Sequence, residues 1–310
     1  MPGSACRRKH GCLRDLQVRG SDQNPLMTTI WCNGQWLDAL DFTAMPTDRG
    51  FMHGLGLFET ILAVDGRPIF AERHLARLVA GCERLGWTMG LLDFSAIMAG
   101  LIVRNELEKG RSRIRLAISA GSGPVHDLEL GADHVVWMLA TPAAEPPLTT
   151  TANLSPWVRN ERSALSGLKC ASYAENLIAL EHAARLGFEE TVFLNTSGLL
   201  CEAATSNVFL VKNGEVFTPS LESGCLPGIT RAVVFEMAAR LGISCSECDL
   251  TTADLASADE LFLTSSIRGL MGVSRFGART LPAGPVTRAL RAAWDAAILR
   301  EGALPCDVLH

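Results

Sequence analysis

Apolar and polar positions alternate, shift to a three- and four-residue period, then alternate again, and this rhythm recurs along most of the chain. Thr29-Ile30-Trp31-Cys32 leads through Asn33-Gly34 into Gln35-Trp36-Leu37, two extended runs joined by the dipeptide a tight hairpin turn favours. Residues 58–64 and 67–70 repeat the pattern around Asp65-Gly66. The period then lengthens. Leu75, Leu78, Val79, Cys82 and Leu85 share one helical face, so the spacing predicts a helix over 72–85, stopped by Gly86. A second helix is predicted over 94–107, ending near Gly110. Residues 112–119 return to alternation, with Ile114, Leu116 and Ile118 on one face and Arg113 and Arg115 on the other. Another strand is predicted over 135–139.

Residues 141–147, Thr-Pro-Ala-Ala-Glu-Pro-Pro, have no repeating apolar face and mark a boundary between domains over 27–145 and 146–310. A chain of 310 residues also exceeds what one core usually serves. Beyond the boundary the pattern predicts strands over 150–154, 190–194, 198–202, 207–211, 216–217 and 261–264. Helices are predicted over 174–186, 229–241 and 286–300. Residues 1–26 are polar and basic without a period, and are expected to be a disordered leader.

Composition narrows the field. Apolar residues make up 48% and charged residues 20%, as in ordinary globular proteins. A net charge of -5 gives no basis for nucleic acid or an anionic membrane as partner, and no apolar run is long enough to span a bilayer. Of the ten cysteines, Cys245 and Cys248 form a C-x-x-C pair. No second pair completes a zinc site, and the pair reads as two small residues on a strand; no metal site is expected. Without a secretion signal, reduced thiols in a cytoplasmic protein are expected.

Candidate chemistry centres on Lys169. The other lysines, Lys9, Lys109 and Lys212, lie in a polar leader, at a helix end and before a turn. Lys169 sits between Leu168 and Cys170-Ala171 with no acidic neighbour in sequence. Such a lysine either snorkels from an apolar edge or, desolvated, has a lowered pKa and serves as a nucleophile or Schiff-base former. Four further segments suit an anion or a charged ring. Leu226-Pro227-Gly228-Ile229-Thr230-Arg231 opens a helix with free N–H groups and a hydroxyl. Thr264-Ser265-Ser266-Ile267 follows an apolar strand with hydroxyls and free amides. Glu202 closes another strand, where an acid could face a protonated ring nitrogen, and Arg77 could complete an anion clamp. Each also has an ordinary reading as a cap, turn or surface residue. Together with an aldehyde-seeking lysine they match the handles of pyridoxal phosphate.

Five segments in order resemble the class IV aminotransferases. They are Asp48 through Thr60, Glu72-Arg73-His74-Leu75-Ala76-Arg77-Leu78, Gly167-Leu168-Lys169, Leu200 through Phe209, and Leu226 through Arg231. This fold-type-IV family includes branched-chain and D-amino-acid aminotransferases and aminodeoxychorismate lyases. The resemblance implies a two-domain α/β (α+β) fold, a small N-terminal and a larger C-terminal domain with pyridoxal 5'-phosphate between them, in a homodimer. It implies that Lys169 forms the Schiff base and carries the proton, and that Glu202 keeps the pyridine nitrogen protonated. Arg77, Ile229, Thr230, Ser266 and Ile267 would hold the phosphate, with Tyr173, Thr205 and Ser206 also lining the cofactor. The implied activity is ping-pong transfer of an amino group between an amino acid or amine and a 2-oxo acid. The alternative is aminodeoxychorismate lyase activity, releasing pyruvate and 4-aminobenzoate.

The chain departs from its relatives near the substrate. Ser172 stands where many members have Asn, and Ala174 where branched-chain enzymes have Tyr, with Tyr173 one position away. Ala120 replaces an Arg that binds carboxylate in D-amino-acid enzymes, which argues against that activity. Leu55 stands in a segment that often reads Gly-Asp-Gly. Arg115 matches the branched-chain position. Arg268 has no counterpart and is either a surface residue or a carboxylate contact. Phe58, Arg115 and Arg268 are the candidate substrate residues.

Overall fold

Asn33-Gly34 joins β1 (Thr29–Cys32) to β2 (Gln35–Asp38), both turn residues at positive φ. The computed structural model describes residues 28–282 and 284–301; the expected leader over 1–26 lies outside the described residues. β3 (Gly56–Val64), β4 (Arg67–Pro68), β5 (Arg111–Ser119) and β6 (Val135–Pro142) complete an antiparallel six-stranded sheet ordered β2-β1-β6-β5-β3-β4. The alternation along β5 has the predicted result: Ile114 and Leu116 are fully buried, while Arg113 and Arg115 point the other way. Three helices accompany this sheet. α1 (Arg49–His53) is too short to show a period and was not predicted; its caps define it. The Asp48 carboxylate accepts the Gly50 N–H at 2.7 Å and Gly54 closes the helix at φ 70°. α2 (Ala71–Arg84) packs on β3 and α3 (Phe94–Arg104) on β1 and β6, with Leu78, Cys82, Met98, Leu101 and Ile102 in one buried cluster. α3 stops short of the predicted 107. Asn105 gives its side chain to β1, accepting from Thr29 N–H at 2.8 Å and donating to Thr29 C=O at 2.9 Å, and Glu106 turns to φ 55°.

The chain leaves the first sheet at Pro142 and enters a second at Thr149. This sheet comprises β7 (Thr149–Arg159), β8 (Glu190–Asn195), β9 (Leu200–Ala203), β10 (Asn207–Lys212), β11 (Glu215–Pro219), β12 (Cys245–Cys248), β13 (Glu260–Ser265), β14 (Gly269–Phe276) and β15 (Arg279–Thr280). Its order is β12-β11-β10-β13-β14-β7-β8-β9, with β15 paired to β14. β7 runs parallel to both β14 and β8, and β11 parallel to β12. β7 continues past the predicted 154 because its pairing with β8 shifts register between Leu154 and Val158. Pro156 falls in that irregularity, where it costs no ladder hydrogen bond. β14 was not predicted: its Gly269 and Gly272 weaken the strand signal, yet both strand neighbours hold it. α4 (Ala174–Arg185), α5 (Ile229–Leu241), α6 (Thr252–Ser257) and α7 (Pro285–Glu301) cover the sheet, and Thr251 and Asp254 form a capping box for α6. Phe209 and Phe262, cross-strand partners on β10 and β13, stack fully buried with ring centroids 4.8 Å apart. Cys245 and Cys248 lie three residues apart on β12, hence on opposite faces of the strand.

The two sheets share a core. Leu62 of β3, with Ile69 and Phe70 after β4, packs with Phe262 of β13, Val233 of α5 and Trp294 of α7. Between the sheets runs the Lys169 segment. Because β4 pairs only with Ala63 and Val64, the edge of β3 from Gly56 to Phe58 is open. The segment fills it: Phe58 N–H donates to Lys169 C=O at 2.9 Å and Ala171 N–H to Gly56 C=O at 2.8 Å.

Candidate active site

A cavity of about 730 Å³ opens between the sheets. Lys169, Arg77, Glu202, Thr230, Arg115 and Arg268 all line it, although they come from six different elements or turns. Lys169 Nζ lies 4.4 Å from the centre of the Phe58 ring. Burial is the main cause of its lowered pKa, about 8, with the Arg77 charge next.

Arg77, on α2, is held from behind. Its Nε and Nη2 each donate to Glu59 at 2.7 Å, and Nη1 donates to Pro227 C=O at 2.9 Å. Glu59 is 0% exposed on β3 and also takes a 2.7 Å hydrogen bond from His74 Nδ1. Burial alone would raise the Glu59 pKa, but the bonds from His74 and Arg77 win and bring it to about 2. Burial lowers the His74 pKa despite Glu59, so His74 donates as a neutral imidazole. Sequence reasoning assigned neither residue a role. The signal was there: an acid inside the apolar run 57–62, and His74 and Arg77 at i, i+3 on one helix face.

Pro227 leads straight into the start of α5. Gly228 is its N-cap and supplies no capping side chain, which leaves first-turn N–H groups facing the cavity. A Cβ at Gly228 would lie 2.0 Å from Asn207 Oδ1, so any side chain there would displace Asn207 from its bond to Leu226 C=O. The hydroxyls of Thr230 and Thr264 are buried without a hydrogen-bond partner. Two orphaned hydroxyls, unpaired amides and an arginine at one place make an anion site, and the residues present fit a phosphate group. Ser266 and Ile267 occupy the β13–β14 turn on the same wall, where Ile267 C=O accepts from Arg111 Nη2 at 2.7 Å.

Glu202, on β9, faces the cavity from the second sheet. Its Oε2 accepts the Leu226 N–H at 2.9 Å and its Oε1 lies 3.5 Å from Arg159 Nη2. Burial raises its pKa, and Arg159 and the Leu226 amide oppose that rise. Arg159 is also bound to Glu175 at 2.6 Å and was absent from the sequence reading. Tyr173, not Ala174, points into the cavity. Its hydroxyl donates to Ala204 C=O at 3.1 Å, its ring meets Phe58 edge-on at 5.5 Å, and burial followed by the Glu202 charge pushes its pKa up to about 12. Ser172 also lines the cavity, and its Oγ donates to Gly54 C=O at 3.2 Å. Thr205 and Ser206 bond to the fully buried Glu190, which also holds Arg268. Arg115 lies flat on Phe58, 3.3 Å from its ring centre, and bonds to Thr60 Oγ1 at 3.3 Å; burial lowers its pKa to about 10. Among the described residues, no group of three His, Cys, Asp or Glu is placed to hold a metal.

The residues present therefore fit a small molecule that carries a phosphate and a basic ring, beside a lysine of lowered pKa. Comparison with known proteins gives the family. Residues 56–276 match the family model for amino-transferase class IV, and the chain belongs to that family of pyridoxal-phosphate-dependent enzymes. It is 28% identical over 243 residues to an aminodeoxychorismate lyase of Bacillus subtilis, covering 77% of this chain and 83% of that one. It is 30% identical over 226 residues to a probable branched-chain-amino-acid aminotransferase of Synechocystis, covering 71% and 73%. The solved branched-chain amino acid aminotransferase of Escherichia coli superposes with a TM-score of 0.79 at 26% identity, covering 87% of this chain and 94% of that one.

Proposed function

We propose that this chain is a pyridoxal-phosphate-dependent transaminase that moves an amino group between an amino acid or amine and a 2-oxo acid, with Lys169 as its catalytic base and acid. One observation carries the reading: a lysine of pKa about 8 stands in a single cavity with a carboxylate, Glu202, and an anion site at Arg77 and Thr230. Thr230, the Ile229 amide, Ser266, Ile267 and Arg77 would hold the cofactor phosphate, and Glu202 its ring nitrogen. The bound cofactor supplies an aldehyde for amine capture and a ring that withdraws electrons from the substrate Cα. The lowered pKa of Lys169, about 8, brings the neutral amine nearer to pH 7 than in an exposed lysine, so that this side chain can accept a proton from carbon and return it as ammonium. The Leu226 N–H and Arg159 favour the ionised form of Glu202 against the cost of burial. Phe58 and Tyr173 wall Lys169 from bulk water.

Reduction with borohydride after adding cofactor should fix it on Lys169, located by peptide mass. An amino-donor screen should convert the cofactor to its amine form; no conversion with any L- or D-amino acid or simple (R)- or (S)-amine would sink the transaminase reading. The second reading, aminodeoxychorismate lyase activity, is favoured by the Bacillus subtilis relative. Release of pyruvate without an amino acceptor would establish it. We further assign a homodimer, because Leu154, Trp157, Val158, Leu177 and Ile178 of β7 and α4 are exposed apolar side chains beside the cavity. Light scattering should give twice the chain mass. The described cysteines are unpaired, which suits the cytoplasm.

A further inference from the structure

The catalytic roles above leave Arg268 without a task. It stands in the turn after Ser266 and Ile267 and lines the same cavity as Lys169. A single nitrogen anchors it. Nη2 donates to Glu190 Oε2 at 2.9 Å, to Thr205 Oγ1 at 2.6 Å and to Ser206 Oγ at 3.3 Å. Glu190 is 0% exposed at the head of β8, and the Thr205 hydroxyl donates to it at 2.5 Å. The anchor is therefore a rigid, buried carboxylate.

The rest of the guanidinium is free. Nε and Nη1 have no hydrogen-bond partner among the described residues, and the side chain is 30% exposed. Arg49 shows what an arginine with a purely structural task looks like in this protein. It is 2% exposed, and Nε, Nη1 and Nη2 all donate to backbone carbonyls of Gly121, Ala120, Asp127 and Glu129. Arg268 differs on both counts. An arginine fixed by one corner loses little side-chain freedom when a ligand arrives, and its remaining N–H groups suit a carboxylate. Arg113 and Arg115 line the same cavity, so it also attracts anions at longer range.

We propose that Arg268, positioned by Glu190, recognises a substrate carboxylate and makes this cavity select carboxylate-bearing donors and acceptors over neutral amines. The assignment rests on the transaminase reading for what the carboxylate belongs to, but its binding test does not depend on turnover. Unreactive propionate and glutarate are titrated by calorimetry into cofactor-loaded protein, with cofactor affinity measured separately. Arg268→Gln should weaken carboxylate binding on the order of ten- to a hundredfold while cofactor affinity stays within about twofold. Arg268→Lys should recover part of the loss, keeping the charge without the planar group. Glu190→Gln should weaken binding less than Arg268→Gln, since the arginine remains but is looser. If Arg268→Gln does not fold, the drop in carboxylate affinity in Arg268→Lys at unchanged melting temperature carries the test. Carboxylate affinity equal to the parent in both arginine variants overturns the proposal, as does an equal fall in cofactor affinity. Failure of the transaminase reading has a different signature: no cofactor is fixed on Lys169 in any variant. Glutarate titration of the cofactor-free chain then still reports on Arg268.

Discussion

The two ends of the cavity hold their arginines in opposite ways. At the end beside Gly228 and Thr230, proposed for the phosphate, Arg77 spends Nε, Nη1 and Nη2 on Glu59 and Pro227, and Glu59 is locked in turn by His74. At the other end, Arg115 has one long 3.3 Å bond to Thr60 and Arg268 is anchored through one nitrogen. The first end offers an ordered arginine beside unpaired amides and hydroxyls, as a site for one invariant ligand should. The second keeps N–H donors unpaired, as a site that must accept and release substrates should. Under the proposed function, pairing within the protein separates what is to be gripped from what is to be exchanged.

Lys169 belongs to both ends, and its removal should have the largest effect. Lys169→Ala should abolish borohydride fixation of cofactor and lower kcat by at least about a thousandfold, measured with the best donor from the screen. Retained turnover would place the proton transfer elsewhere. The comparison itself is tested next by Glu59→Ala. Removing the buried carboxylate leaves Arg77 and His74 without their partner, and the loss in denaturant stability should be about 3–5 kcal/mol. Cofactor affinity should fall with it. Thr60→Val at the open end removes only the 3.3 Å contact of an arginine already stacked on Phe58, and should cost under about 1 kcal/mol. Equal losses would erase the distinction between the two ends.

A smaller and more specific effect is the titration of Lys169. Its pKa of about 8 lies below the ordinary lysine value of about 10.4, so the neutral amine appears at lower pH than in an exposed lysine. Reductively methylated Lys169, followed by NMR of its methyl carbons in cofactor-free protein, should show its midpoint near 8. Between that pH and the ordinary value the unfolded chain binds a proton the folded chain does not, so this group's contribution to stability rises with pH across that window. Arg77→Gln removes a neighbouring positive charge and should move the midpoint upward. A midpoint that stays put in Arg77→Gln would leave burial and the Arg115 charge as the causes.

Single residues at both ends were legible in the sequence, Lys169 and Gly228-Ile229-Thr230 as well as Arg115 and Arg268, but the contacts that fix them were not. Gly228-Ile229-Thr230 and Lys169 announce themselves because their task depends on local backbone: a bare helix start, and a lysine in an apolar edge segment. Arg77 was legible as a cation on a helix, but its fixation through Glu59 joins residues 18 apart by a contact that no period encodes. Arg268 and Glu190 lie 78 residues apart and meet only because β8 and the β13–β14 turn end at the same rim. The strands with strict alternation, such as β5, were readable from side-chain period alone. β14 and α6 were not, because glycines or brevity remove the period while neighbouring strands and a capping box supply the stability.

Tyr173 offers the finest test, because sequence left open whether it stands in for the tyrosine that branched-chain enzymes carry one position later. Its hydroxyl bonds to the Ala204 carbonyl at 3.1 Å, and that carbonyl also receives Asn176 Nδ2. Tyr173→Phe therefore strands no acceptor, and should change stability by no more than about 1 kcal/mol. If the hydroxyl also touches the cofactor, the same substitution should shift the cofactor absorption maximum and its pH midpoint, since burial and Glu202 hold the phenol neutral to about pH 12 and available as a donor. A spectrum unchanged in position and pH dependence would confine Tyr173 to packing against Phe58. Ala174→Tyr then becomes the informative variant. Ala174 opens α4 with its side chain exposed, and a tyrosine there should leave the spectrum as it was.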